Sequence, residues 1–394
     1  MYLRIVFSLI AFLFLFNGVV DYYLYRTLVK PLRNRKITLL HWGISLLFLL
    51  GVVSISIHFV SGQMGLRQMM WFTFVYFLIY IPKLTFSLFS IPALFIKRAA
   101  KPIRIFSFVL SILIFAGFLF GLTLGKTYPR VKRVTIVDNR LPASLSPLRV
   151  VQISDAHVGN MGECFDIMER VANEIELLNP DLVLFTGDLV NSRSEEVMPF
   201  IPTLSRIKAR YGVYAVLGNH DYSDYARFAT PEEKQTNFDA LVNAYPLFGW
   251  TLLNNESVQI HSDTDSIAIV GVENWGEPPF SQHGDLDAAM EGLSDNQFKI
   301  LLSHNPEHWR KTVQLDDRID LTLSGHTHAM QFKLKLGSWQ WSPAEWKYPL
   351  WSGLYTGEVN KLYVNDGLGY VFIPFRFGTR PEITLITIES GSGK

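Results

Sequence analysis

Five short stretches of this 394-residue chain carry side chains that can hold a metal ion. They are Asp155-Ala156-His157, Gly187-Asp188, Gly218-Asn219-His220-Asp221, His304 and Gly325-His326-Thr327-His328. Their donors, Asp155, His157, Asp188, Asn219, His304, His326 and His328, are oxygens and imidazoles with no thiolate, a set that suits Mn, Fe, Zn or a similar divalent ion. Seven donors exceed one tetrahedral site. Two ions about 3.5–4 Å apart, sharing one carboxylate, use them naturally and turn a water into a nucleophile near neutral pH. Eight histidines lie beyond residue 125, and five of them stand in these stretches. One Asp-x-His or Gly-Asp pair alone would mean little; the set in this order carries the signal.

The elements that must position these groups are apolar runs directly before them. Runs 148–154, 181–186, 213–217, 298–303 and 320–323 read as strands and each ends at one of the five stretches, with 266–272 a further strand. Helical spacing covers 165–178, 195–209 and 285–293. Alternation of this kind argues for an α/β fold, in which ligands bind beyond the carboxyl ends of the strands. His304-Asn305-Pro306-Glu307-His308 matches the inverted zinc-protease motif H-x-x-E-H. That motif needs both histidines on one helical face. Pro306 suits the first turn of a helix, which leaves His304 ahead of it.

Charge divides the chain in two. The first 125 residues hold 12 Lys/Arg and one acid, Asp21, which leaves 24 Lys/Arg against 34 Asp/Glu in the other 269. Apolar runs at 5–24, 37–60, 69–96 and 105–124 are each long enough to cross a bilayer, and predict four transmembrane helices, uncleaved, with Pro82-Lys83 kinking or tilting the third. His41 and His58 are read as isolated, and no paired intramembrane charges are expected, so the helices read as an anchor and not a transporter. Basic connections at 26–36 and 97–104 point to the cytoplasm, which places both termini and the acidic domain outside. Lys126, Arg130, Lys132 and Arg133 argue the other way unless they belong to the folded domain. The domain plan is therefore 1–125 transmembrane, 126–147 linker and first strand, and 148–394 catalytic. Cys164, the one cysteine, excludes a disulfide framework and is not placed to act as a nucleophile.

The five stretches together resemble the calcineurin-like metallophosphoesterases. The tail Asn365-Asp366-Gly367-Leu368-Gly369, Arg376 and Arg380-Pro381-Glu382-Ile383 resembles a bacterial membrane-anchored branch of that family. The resemblance implies an αββα two-sheet sandwich and a multi-pass protein of a bacterial inner membrane with an extracytoplasmic catalytic domain. It implies a first metal on Asp155, His157, Asp188 and His328, and a second on Asp188, Asn219, His304 and His326, with Asp188 bridging. His220 would contact the phosphate or protonate the leaving oxygen, oriented by Asp221. The implied reaction is hydrolysis of a phosphodiester or pyrophosphate bond, with phospholipid or lipid-linked substrates in view. A receptor or scaffold that kept the domain only for binding would be expected to lose Asp188, His220 or the Gly-His-x-His pair, and none is lost.

Two further features bear on the substrate. Four of nine tryptophans fall within 339–351, with Tyr348 and Tyr355 nearby. This segment either rests on a bilayer or acyl chain, as interfacial Trp and Tyr do, or packs inside the domain. Arg376 and Arg380 are candidate phosphate contacts or salt-bridge partners. The domain's acidic balance excludes nucleic acid as the main substrate, since that binding relies on a basic face. Oligomeric state is not legible.

Overall fold

The computed structural model describes residues 2–61, 66–161, 165–262, 265–278, 282–337 and 339–391; for 2–12, 58–61 and 66–67 it describes the backbone alone. Cys164 and the side chain of His58 lie outside the described residues. The chain divides into a helical unit, 1–123 with 372–375, and a second unit of 124–371 and 376–394.

The helical unit contains long helices at Tyr2–Leu24, Arg35–Ser61, Leu66–Ser90 and Ala100–Phe120. Three spans among the described residues are long and apolar enough to cross a membrane: Arg35–Ile57, Gln68–Leu94 and Lys97–Gly125. Pro82 stands inside the helix Leu66–Ser90. The expectation of no paired charge in this unit is overturned. Lys83 Nζ lies 2.8 Å from Asp21 Oδ1, and the Tyr80 hydroxyl donates to Asp21 Oδ2 at 2.9 Å. His41 is not isolated either, because its Nε2 sits 3.0 Å from the Asp21 carbonyl oxygen. Above this pair Tyr76 donates to Asn17 Oδ1 at 2.6 Å. Asp21 and Lys83 are 62 residues apart in the chain, so only the packing of helices reveals them as partners.

In the second unit two mixed six-stranded sheets stack face to face. The first has the order β1 (Arg130–Asp138), β14 (Glu382–Ser390), β2 (Leu148–Ile153), β3 (Leu182–Phe185), β4 (Val213–Ala215), β5 (Thr251–Leu252). The second runs β12 (Gly353–Thr356), β13 (Lys361–Val364), β9 (Leu321–Ser324), β8 (Phe298–Leu302), β7 (Asp265–Gly271), β6 (Glu256–Ser262). A separate hairpin pairs β10 (Leu334–Leu336) with β11 (Trp339–Trp341). β2, β3 and β4 are parallel neighbours, as are β7, β8 and β9. Parallel strands covered on both faces require apolar side chains in both directions, which is why β3 reads Leu-Val-Leu-Phe without a break.

Alternate residues of each strand face opposite layers. Val150, Leu182 and Leu184 meet Ile269, Ile300 and Leu323 between the sheets. Val151, Val183 and Phe185 turn outward onto the helix Asp166–Leu178, which buries Ile167, Met168, Val171 and Ile175. On the far side Val270, Leu301 and Leu362 pack against Trp309 and Val313. The layering is helix, sheet, sheet, helix. Two expected helices are corrected: 285–293 is helical only over Leu286–Ala289, and 195–209 is not continuous but breaks into short turns, Ser194–Glu196, Met198–Phe200 and Ile201–Leu204. Pro199 and Pro202 remove helix hydrogen bonds there.

The buried ion pair of the helical unit yields a test. Lys83→Met strands the Asp21 carboxylate and is expected to cost about 3–5 kcal/mol, seen as a lower thermal unfolding midpoint in detergent. Adding Asp21→Asn is expected to recover most of that loss. A single variant as stable as the parent would contradict the pairing.

Candidate metal centre

Each expected ligand leaves the carboxyl end of a strand. Asp155 and His157 follow β2, Asp188 follows β3, Asn219 and His220 follow β4, His304 follows β8, and His326 and His328 follow β9. The loops are tied to one another by backbone hydrogen bonds: Asp155 N to Gly187 O at 2.9 Å, His157 N to Asp188 O at 3.2 Å and Gly325 N to His304 O at 2.9 Å. Side chains from both sheets thus reach one place.

Asp155, His157 and His328 form one group, and Asp188, His304 and His326 a second; His157, Asp188 and His220 form a third between them. In the first group His328 Nε2 is 3.2 Å from Asp155 Oδ1 and 3.1 Å from His157 Nε2. In the second His304 Nε2 is 3.2 Å from Asp188 Oδ2 and 3.3 Å from His326 Nδ1. The same Asp188 Oδ2 lies 3.5 Å from His157 Nε2, so one carboxylate oxygen faces both groups. Two donors each about 2.1 Å from a tetrahedral ion stand roughly 3.4 Å apart. The donors are therefore spaced as ligands of common cations. Asn219 fits the same reading: its Nδ2 donates to the Tyr225 hydroxyl at 2.9 Å, and its buried Oδ1 has no hydrogen-bond partner among the described residues.

The opposite ring nitrogens fix the imidazoles. His304 Nδ1 is 2.7 Å from Thr186 O, His220 Nδ1 2.8 Å from Asn191 O, and His326 Nε2 2.9 Å from the Tyr348 hydroxyl. The two carbonyl acceptors select Nδ1–H and aim the other nitrogen of His304 and His220 inward, and the hydroxyl holds the His326 ring in place. Electrostatics agree. Burial opposes ionisation of Asp155 and Asp188, yet His328 beside the first and His304 beside the second hold both well below the usual carboxylate range. Burial would depress His304, but Asp188 lifts it to about 9. Burial and the nearby His304 push His326 down to about 3. Ionised carboxylates beside neutral imidazoles such as His326 are the protonation state a cation needs, and His304, kept protonated by Asp188, occupies a place that a cation would take.

The backbone is strained to achieve this. Asp155, His157, Asp188, His326 and His328 have φ of 52°, 44°, 60°, 71° and 50°. Left-handed conformations at non-glycine residues cost about 1–3 kcal/mol each and persist only where the surroundings enforce them. Two glycines are obligatory. A Cβ at Gly218 would lie 2.2 Å from Asp188 Oδ1, and one at Gly325 would lie 2.2 Å from Asp155 Oδ2.

Several expected roles need correction. No hydrogen bond joins Asp221 to the His220 ring among the described residues. Its buried carboxylate accepts the backbone N–H groups of Gly218, Asp188 and Leu189 at 2.9 Å each and Val190 at 3.2 Å, tying two loops together. Burial and Asp188 push it up to about 7. Arg376 is no phosphate contact: it is 0% exposed and donates to Gly369 O, Asp366 O and Thr379 Oγ1. Its Nη2 lies 3.3 Å from His328 Nδ1, so it supports the site from behind. Arg380 is exposed and lies outside the cluster, its Nε on Tyr128 O. His308 stacks on Trp275 and contacts Ser303 Oγ, apart from the cluster, so the protease motif does not assemble. The Trp-rich segment splits. Tyr348 and Trp351 are buried with Ala329, whereas Trp339 and Trp346 are exposed.

Tyr225, Tyr348 and Asn191 are site residues that sequence reasoning missed. Tyr225 stacks on His220 at 4.1 Å between ring centroids. Its position five residues after His220 was the available signal; Asn191 contributes a backbone oxygen and has none.

Residues 148–330 match the family described as calcineurin-like phosphoesterase. The chain is 33% identical over 288 residues to the transmembrane protein with metallophosphoesterase domain of Bos taurus, covering 68% of this chain and 59% of that protein. It is 31% identical over 260 residues to the uncharacterized metallophosphoesterase YkuE of Bacillus subtilis, covering 65% and 84%. It is 28% identical over 311 residues to the UDP-2,3-diacylglucosamine pyrophosphatase LpxG of Chlamydia muridarum, covering 66% and 89%. The chain spans about three fifths of the length of the vertebrate relatives it matches.

Because a Cβ at position 218 would collide with Asp188, Gly218→Ala is expected to lower metal content per chain and to weaken metal binding at least about tenfold, as disturbance of supporting groups does at metal sites. Elemental analysis and a metal titration read this out. Undiminished binding would contradict the arrangement.

Proposed function

Since the chain belongs to the calcineurin-like metallophosphoesterases, we propose that it is a membrane-anchored, dinuclear metal-dependent phosphoric ester hydrolase acting on a phosphodiester or pyrophosphate bond. The observation that supports this reading most is Asp188 Oδ2, 3.2 Å from His304 and 3.5 Å from His157, facing two ligand groups at once. Asp155, His157, Asp188 and His328 would hold one divalent cation; Asp188, Asn219, His304 and His326 would hold the other. Bound there, Mn, Zn or Fe would supply Lewis acidity toward the phosphoryl oxygens and an acidified water.

This chain's own residues do the rest. The Asn191 carbonyl accepts a hydrogen bond from His220 Nδ1 and leaves Nε2 facing the cluster, and Tyr225 stacked on the ring holds its plane. In that pose Nε2 contacts the phosphoryl group, or, with the ring in its imidazolium form, donates its proton to the leaving oxygen, a role worth about 10²–10⁴-fold. Asp221 positions the loops and not the imidazole.

A lipid- or envelope-linked substrate is the favoured class. It rests on the apolar helices of this chain and on the pyrophosphatase name of one relative. The proposed plan is four membrane helices in 1–125, a connecting segment in 126–147 and the phosphoesterase domain in 148–394, facing the extracytoplasmic side of a bacterial inner membrane. The basic residues after the last helix do not oppose that side, because some are engaged within the second unit: Lys126 lies over the Tyr370 ring and Lys132 pairs with Asp366 and Glu382.

The test is an assay of metal-loaded full chain on a bis(aryl) phosphate, an aryl phosphate and a lipid pyrophosphate. Asp188→Asn is expected to lower kcat at least about 100-fold, more than loss of a supporting partner costs a metal site. His220→Ala is expected to lower kcat by about 10²–10⁴-fold with metal content unchanged. Full activity of Asp188→Asn with both metals bound would overturn the mechanism.

A further inference from the structure

A second concave site opens at the side of the sandwich where β1, the edge of one sheet, comes beside β12, the edge of the other. Its volume is about 500 Å³, and the cations Arg130, Lys132, Arg133, Lys333, Lys335 and Arg380 line it. None of the seven expected metal ligands does. The two acids in its wall, Asp366 and Glu382, are already matched. Asp366 Oδ2 is 2.6 Å from Lys333 Nζ and 3.3 Å from Lys132 Nζ, and Glu382 pairs with Lys132. These buried pairs form a neutral floor. Among the described residues Arg130 and Lys335 above it have no carboxylate partner, and Arg380 uses only its Nε, on Tyr128 O. This excess of cations stands in a domain where acids outnumber bases, so it is a local feature and not a general one.

The hairpin that brings Lys335 has two unlike faces. Its register pairs Leu334 with Trp341, Lys335 with Gln340 and Leu336 with Trp339. Side chains alternate across a strand, so Leu334, Leu336, Trp339 and Trp341 share one face and Lys335 and Gln340 the other. The Lys335–Gln340 face lines the cavity, whereas none of the four apolar residues does. The apolar face is open: Leu336 is 79% exposed, Trp339 56%, and Trp346, edge-on to Trp341 at 5.7 Å, 79%. Tryptophan beside Lys and Arg is the pattern of a surface that meets a membrane interface. A free phosphate would use the cationic cavity but would give this apolar face nothing to cover it. Arg130 also comes only five residues of chain after Gly125, the end of the last apolar helix.

We propose that this cavity binds the phosphate headgroup of an anionic phospholipid, with the β10–β11 hairpin laying its apolar face against the acyl region. The site is separate from the metal cluster, and the lipid it holds is not the one hydrolysed. Guanidinium and ammonium groups meet the phosphate oxygens, and the tryptophans distinguish a lipid from a soluble anion.

The experiment uses the full chain in neutral detergent with a chelator present, so that phosphate does not report on the metal cluster. Short-chain phosphatidylglycerol, short-chain phosphatidylcholine and inorganic phosphate are titrated by calorimetry. Phosphatidylglycerol is expected to bind at least about tenfold more tightly than either of the others, and Arg130→Gln with Lys335→Gln to weaken it at least about tenfold. Lys335→Gln alone, on an exposed strand, is expected to weaken it about fivefold and guards against misfolding of the pair. Trp339→Ser is expected to weaken the lipid and leave phosphate unaffected. Equal binding of the two lipids, or no effect of the charge variants, overturns the proposal. Phosphate binding as tightly as phosphatidylglycerol, with Trp339→Ser silent, assigns the cavity to a soluble anion and also overturns it. Asp188→Asn is expected to bind phosphatidylglycerol as the parent does, so this site and the hydrolytic function fail or stand separately.

Discussion

Two carboxylates withdrawn from water govern the second unit. Asp155 is 0% exposed and Asp188 2%. An unpaired buried charge costs several kcal/mol, so the surrounding structure has to compensate both. Part of the compensation is backbone: His326 N donates to Asp155 at 3.0 Å and His220 N to Asp188 Oδ1 at 2.8 Å. Part is imidazole, at 3.2–3.5 Å from the carboxylate oxygens. The remainder, on our reading, is two cations. Aiming backbone N–H groups and side chains at one point is what requires left-handed φ at five of the expected ligands and no Cβ at Gly218 and Gly325.

The same demand explains two buried ionisable groups that stand behind the ligands. Asp221 gathers four backbone N–H groups from the loops after β3 and β4. Arg376 gathers the carbonyls of Asp366 and Gly369 beneath His328. Each fixes a loop that carries ligands, and strained loops keep their shape only when something of this strength enforces it. Their positions also link the metal cluster to the cationic cavity, because the Asp366 side chain floors that cavity while its carbonyl accepts from Arg376.

Much of the site was legible because buried parallel strands read as unbroken apolar runs, and the residues just beyond the ends of those runs converge in space. Asp155, His157, Asp188, His304, His326 and His328 lie in neighbouring groups. The features that could not be read depend on packing. Asp221 is next to His220 in sequence, but the loop turns its carboxylate away from the ring and onto the backbone. Asp21 and Lys83 become partners only when helices meet. Other features were legible and were read too coarsely. Pro199 and Pro202 already forbade a long helix in 195–209, and the alternation Leu334, Lys335, Leu336 already marked a two-faced strand, whereas the tryptophans drew attention to composition alone.

Everything proposed for the metal centre turns on one carboxylate, Asp188, joining two ions. Electron paramagnetic resonance of the full chain loaded with manganese tests this directly. Two ions per chain are expected in an exchange-coupled pair about 3.5–4 Å apart, with the coupling lost in Asp188→Asn. A single uncoupled ion in the parent, or a coupled pair that survives Asp188→Asn, would contradict it.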